Sequence, residues 1–125
     1  MEEEQLLKSG ERINQLFSTD IKIIQNREVF SYSVDSVLLS RFPRFPKKGL
    51  IVDFCAGNGA VGLFASTRTQ AQILAVEIQE RLADMAERSV RLNGLEEQME
   101  VICDDLKNMP AHIQGSKVDM ILCNP

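Results

Sequence analysis

The sequence predicts an α/β protein built on a doubly wound parallel sheet, and three observations predict it. After Gly49, short apolar runs alternate with segments of helical periodicity, so strands are separated by helix-length crossovers. Leu50 to Cys55 is apolar apart from Asp53, the pattern of a strand buried on both faces. Glycines and acidic residues gather at the ends of these runs, where such sheets hold their ligands.

The chain divides near Lys48-Gly49 into a leader, 1–48, and a half domain, 49–125. In the leader, Ile21 to Gln25 and Glu28 to Phe30 are short β-like runs, and Asn26-Arg27 between them is expected to form a tight hairpin. Ser33 offers an N-cap to a helix over Val34 to Phe42, which Pro43 and Pro46 stop. After the strand at Leu50 to Cys55 come a glycine turn, Gly57 to Gly62, and a helix carrying Val61, Leu63, Phe64 and Ala65. A second strand, Ile73 to Val76, ends at Glu77. A helix over about Gln79 to Leu92 presents Leu82, Ala83, Ala86 and Val90 on one face, and Asn93-Gly94 stops it. The third strand, Met99 to Cys103, ends at Asp104-Asp105, and a short helix or turn leads to a fourth, Val118 to Cys123, that ends at Asn124-Pro125.

Composition bounds the function. The 125 residues suffice for one ordinary domain, and 44% apolar with 26% charged residues is a globular balance. No apolar run reaches the ~18 residues of a spanning helix. The acidic start Met1-Glu-Glu-Glu is unlike a secretory signal, which points to the cytoplasm and away from membranes. Cys55, Cys103 and Cys123 lack metal-ligand or disulfide-framework spacing and are expected as reduced, buried thiols near strand ends. The net charge of −4 does not announce a nucleic-acid binder. Arg41, Arg44, Lys47 and Lys48, interleaved with Phe42 and Phe45, read either as a small phosphate-contacting patch with stacking aromatics or as a solvated connector. No metal is expected, and His112 reads as a surface or satisfied histidine.

Gly57-Asn-Gly-Ala-Val-Gly62 matches GxGxxG between a strand and a helix, a pattern shared by several nucleotide cofactors. Glycine here permits a sharp turn and close backbone approach to a ligand. Asp53 separates the possibilities. A dinucleotide places its pyrophosphate at the helix start, and a carboxylate there would repel it. S-adenosylmethionine (SAM) carries a sulfonium and an α-ammonium group, which an acid favours. Asp53 is therefore read as contacting the amino-acid end of SAM, directly or through water, or as tying down the glycine loop through backbone N–H groups. Cys55, Gly57, Asn58 and Gly59 complete that loop. Glu77, at the end of the second strand, suits a bidentate hydrogen bond to ribose hydroxyls, and Ile78 follows it. Asp104 or Asp105 could accept from an adenine amino group, with Leu106 packing on the ring; Asp105 is favoured. N-capping is the other role open to either Asp.

Taken together these residues resemble the class I SAM-dependent methyltransferases, whose sheet is Rossmann-like. Asp119-Met-Ile-Leu-Cys-Asn124-Pro125 looks like the start of the Asn-Pro-Pro-Tyr/Phe motif of amino-group methyltransferases. Phe30 to Leu39, Asp53 to Gly59 and the helix exit Leu92-Asn-Gly-Leu95 are similar to the bacterial tRNA1(Val) (adenine(37)-N6)-methyltransferase family, although Cys55 stands where the broad superfamily has Gly. The resemblance implies methylation of an exocyclic amino group, most simply adenine N6 of tRNA, with S-adenosyl-L-homocysteine as product. It implies that Asn124 and the Pro125 carbonyl orient the acceptor nitrogen; Asp35 with Phe30-Ser31 reads equally as a lid over the cofactor or as ordinary N-terminal packing. It further implies a sheet of seven strands, of which the first four are present, the open edge being covered by further strands or another chain. Related readings are a protein glutamine or rRNA guanine N2 methyltransferase, a nicotinamide-binding module, or a non-catalytic SAM-binding module.

Overall fold

The computed structural model describes residues 3–16, 19–26 and 44–123. The expected strand at Glu28 to Phe30, the helix over Val34 to Phe42, and Asp35, Asn124 and Pro125 lie outside the described residues.

The sheet is parallel, as expected. Its strands are β3 (Leu50–Phe54), β4 (Gln72–Glu77), β5 (Met99–Cys103) and β6 (Met120–Cys123), in the order β5-β4-β3-β6. The first three strands step outward in one direction, and β6 then returns to the other side of β3. The order reverses at β3, which makes the carboxyl edge beside β3 and β6 the topological switch point where ligands bind in such sheets. Register is fixed by pairs such as Asp53↔Ala75, Asp53↔Leu122 and Glu77↔Cys103.

Two helices cross between strands: α1 (Ala60–Ser66) and α2 (Glu80–Leu92). A short 3-10 turn, Leu106–Asn108, leads into α3 (Met109–Ile113). Helix α1 begins inside the glycine motif and is apolar from Ala60 to Ala65, all of them buried. It can lie close to the sheet because Gly62 has no side chain: a Cβ there would come within 2.8 Å of Met99 Cε. Helix α2 buries Leu82, Ala83, Ala86 and Val90, as its periodicity predicts, and also Met85, Arg88 and Ser89. Asn93 caps it, and Gly94 follows in the left-handed region at φ 66°. The main core gathers Ile51, Leu63, Phe64, Ile73, Ala75, Met99 and Leu122 around β3. Among the described residues no helix is long and apolar enough to cross a membrane.

The hairpin differs from expectation. Asn26 is not a turn residue but the last residue of β2 (Lys22–Asn26), which pairs antiparallel with β1 (Glu11–Gln15). Strand β1 carries one apolar residue, Ile13, so no alternation announces it. Its place is fixed by long-range polar contacts to α2. The Arg88 guanidinium forms a two-pronged ion pair with Glu11, with Nη2–Oε2 at 2.7 Å and both side chains nearly inaccessible. It also donates to Asp84 Oδ2 at 2.9 Å and to the Leu6 carbonyl at 2.7 Å. This pairing holds the Glu11 carboxyl below its ordinary range. Strand β2 hangs on the same helix. The Ile24 N–H donates to Ser89 Oγ at 2.9 Å, while the Asn93 amide accepts from Lys22 N–H and donates to its carbonyl. Ile24 then packs with Leu82 and Met85.

Truncating Arg88 would strand a buried carboxylate. Arg88→Ala is expected to destabilise the chain by about 3–5 kcal/mol in urea titrations, whereas Arg88→Met combined with Glu11→Leu restores most of that loss. Equal losses in the single and double variants would show that the pair does not lock the hairpin to α2.

Candidate cofactor site

Strand β3 ends abruptly. Cys55, the residue after Phe54, is left-handed at φ 59°, unusual for a side chain with a Cβ, and Gly57 and Gly59 follow at φ 59° and 92°. The turn is pinned to the neighbouring strand. Ala56 N–H donates to the Val76 carbonyl at 2.9 Å, and Gly57 N–H donates to Glu77 Oε1 at 2.7 Å. Glu77 Oε2 accepts the Gln79 N–H at 3.0 Å, which sets the start of α2. The three motif glycines divide their roles. A Cβ on Gly59 would come to 3.1 Å from Ala86 Cβ, and one on Gly62 would meet Met99, so these two serve packing. Gly57 faces open space, the position from which backbone can approach a ligand.

Asp53 lies beneath this turn and is 1% exposed. By strand alternation it shares a face with Ile51, above the main core. Neither carboxylate oxygen has a hydrogen-bond partner, and the buried Asn58 Nδ2 has none either. The loop-tying role offered for Asp53 is thus taken by Glu77 instead, because Glu77 stands at the strand end level with the turn. Burial, and then the charge of Glu77, push Asp53 up from 3.8 to about 7. A carboxyl buried this way is costly unless something pairs with it.

Beside the turn opens a cleft of about 530 Å³, a size ordinary for small-molecule sites. Cys55, Glu77, Ile78, Asp104, Asp105 and Leu106, all singled out from the sequence, line it together. Ile78 and Leu106 are exposed apolar side chains there, at 62% and 40%. Gln79, which also lines the cleft, was not foreseen; its one signal is its place between Glu77 and the helix start. Asp105 Oδ1 accepts the Lys107 N–H at 3.0 Å and so caps the 3-10 turn, the alternative role considered for it. Asp104 is satisfied locally: His112 Nε2 lies 2.8 Å from Oδ2, while Asn108 Nδ2 and Asp105 N–H donate to Oδ1. These contacts, His112 foremost, hold it near 2. His112 is therefore a satisfied histidine.

Two expectations are corrected. Cys55, Cys103 and Cys123 are free but exposed rather than buried, because each lies at the carboxyl edge where the sheet opens. Phe45 does not stack outward from a basic patch. It packs on the core with its ring centroid 6.3 Å from that of Phe64, edge to face, while Arg68 covers Phe64 at 5.3 Å. Arg41 and Phe42 lie outside the described residues.

Residues 20–125 match the family model described as the methyltransferase small domain. The chain belongs to this family. A curated relative, the tRNA1(Val) (adenine(37)-N6)-methyltransferase of Shewanella halifaxensis, is 32% identical over 93 residues, covering 74% of this chain and 38% of the relative. A protein of the same name from Bacteroides fragilis is 29% identical over 91 residues, covering 73% of this chain and 38% of the relative. The chain thus spans about two-fifths of the length of these relatives. Among solved structures, a SAM-dependent methyltransferase from Agrobacterium tumefaciens superposes with a TM-score of 0.71 at 18% identity, covering 95% of this chain and 41% of that one. This likeness supports the Rossmann-like fold of the methyltransferase small domain.

Because Asp53 binds its proton more tightly folded than unfolded, its contribution to stability falls as pH rises from about 4 to about 7, then stays level. Asp53→Asn is expected to remove this slope. The variant should be more stable than the parent at pH 8, by on the order of 2–4 kcal/mol, and nearly equal to it at pH 4. Urea midpoints across that range test it, and parallel curves for the two chains would contradict the burial argument.

Proposed function

We propose that this chain is the SAM-binding part of a cytoplasmic methyltransferase that modifies adenine N6 in tRNA. The observation that carries the cofactor assignment is Asp53, a buried carboxylate with both oxygens unpartnered beneath an open glycine turn. A cation placed against it stabilises its ionised form. The acidic pair Asp53 and Glu77 would repel a pyrophosphate, which disfavours a dinucleotide. The acceptor is suggested by the names of the curated relatives, which favour adenine over a guanine or a glutamine amide.

The chain's own residues then divide the work. Asp53 faces the cationic amino-acid end, with Gly57 giving backbone access. Each oxygen of Glu77 keeps a lone pair beyond its bond to Gly57 or Gln79, and these suit ribose hydroxyls. Ile78 and Leu106 offer apolar faces to a purine, and the second oxygen of Asp105 suits its amino group. The bound cofactor supplies an electrophilic methyl. Asn124 and the Pro125 carbonyl, which follow β6 directly in sequence, accept the hydrogens of the acceptor amine and orient its lone pair, so the gain is mainly orientation and electrostatics. Asp35 belongs to the proposed lid. No metal is required by this chemistry.

Calorimetry on the 125-residue chain should show SAM and S-adenosylhomocysteine binding and no binding of NAD. SAM affinity should rise several-fold from pH 6 to pH 7.5, as Asp53 gives up its proton, below the ordinary range of an α-amino group. Asp53→Asn should weaken SAM at least ten-fold and flatten that profile. A folded chain that binds NAD but neither SAM nor S-adenosylhomocysteine would overturn the assignment. Methylation of tRNA, rather than of rRNA or a release factor, by the protein that carries this domain tests the acceptor.

A further inference from the structure

Two thiols that the proposed chemistry does not use meet at the carboxyl edge of the sheet. Cys123 is the last residue of β6 and lies opposite Phe54, the last residue of β3, in register; Cys55 directly follows Phe54 in sequence. Parallel neighbours stand about 4.8 Å apart, and a one-residue stagger brings the two Cα atoms to about 6 Å, within the range a disulfide spans. Simple strand alternation would send the side chains to opposite faces. The left-handed turn at Cys55, φ 59°, breaks that alternation, and the Cys123 sulfur is near enough to act on the Cys55 thiol. Both residues are exposed. We propose that Cys55 and Cys123 form a reversible disulfide, an oxidation site that ties the glycine turn to the strand leading into Asn124.

Cys103 provides an internal contrast. It ends β5, two strands from β3 and so about 10 Å away laterally. Its thiol points elsewhere, toward the Ile78 carbonyl at 3.7 Å.

The reaction balances with a disulfide oxidant such as oxidised glutathione. Desolvation, and then the Cys123 sulfur, push the Cys55 thiol up. The thiolate of one cysteine displaces one glutathione thiolate and forms a mixed disulfide, and the thiolate of the other then displaces the second. Two protein thiols lose two electrons and two protons, and one oxidised glutathione becomes two reduced molecules.

This site exists whether or not the chain binds SAM, and its test does not use the cofactor. The folded 125-residue chain, incubated with oxidised glutathione at pH 8, should fall from three titratable thiols to one and recover three with dithiothreitol. Peptide mapping should join Cys55 to Cys123. Cys103→Ser should form the same bridge, and Cys55→Ser should yield no internal bridge. Three thiols remaining, glutathione adducts without a bridge, or a bridge involving Cys103 would each overturn the proposal.

Discussion

The Glu77 carboxylate holds two backbone N–H groups, one on each side of the cleft. Gly57 belongs to the turn after β3, and Gln79 opens α2. One buried side chain at the end of β4 therefore fixes the relative position of the two segments that would contact a nucleoside. Charged acceptors of backbone N–H groups make stronger hydrogen bonds than neutral ones. The tether also explains how a left-handed residue with a side chain, Cys55, is tolerated just before it. The Val76 carbonyl and Glu77 take the N–H groups of Ala56 and Gly57, so the turn is determined from the neighbouring strand rather than by local preference.

Because Glu77 satisfies the turn, Asp53 is left without a donor. A structural role alone would favour an apolar residue there, since Ile51, Ala75 and Leu122 surround that face with hydrocarbon. The folded chain keeps instead a carboxyl whose titration burial lifts to about 7, and a cation placed against it favours its ionised form. Stability given up at one position and recovered on binding is the usual relation between strain and function. The two acids are thus not equivalent: one builds the turn, and the other waits under it.

The sheet was legible because β3, β4 and β5 are apolar runs of strand length, with helical periodicity between them. The cleft was legible because it forms where those runs end. The hairpin was not. Glu11, Arg12, Asn14 and Gln15 leave Ile13 as the lone apolar residue of β1, and the partners that fix the hairpin, Arg88 for β1 and Ser89 for β2, lie more than sixty positions away. Nor could the sequence say which acid would tether the loop. Asp53 and Glu77 both sit near strand ends, and the choice depends on a difference of one or two residues in depth along neighbouring strands. The cysteines misled for a related reason. An apolar run followed by Cys suggests burial, yet the last residue of a strand at a ligand-binding edge faces the opening.

Helix α2 links these parts. Its N-cap, Gln79, borders the cleft, its middle packs on the sheet, and Arg88 and Ser89 near its end, with Asn93 at its C-cap, hold the hairpin. A helix clamped at one end by buried polar contacts and at the other by Glu77 has little freedom to slide along its axis. Side chains on rigid elements hold ligand geometry better than side chains on free loops. The hairpin is therefore more than a leader lying on the surface. By fixing the far end of α2, it helps set where Ile78 and Gln79 stand against Glu77, and so shapes a cleft it does not touch.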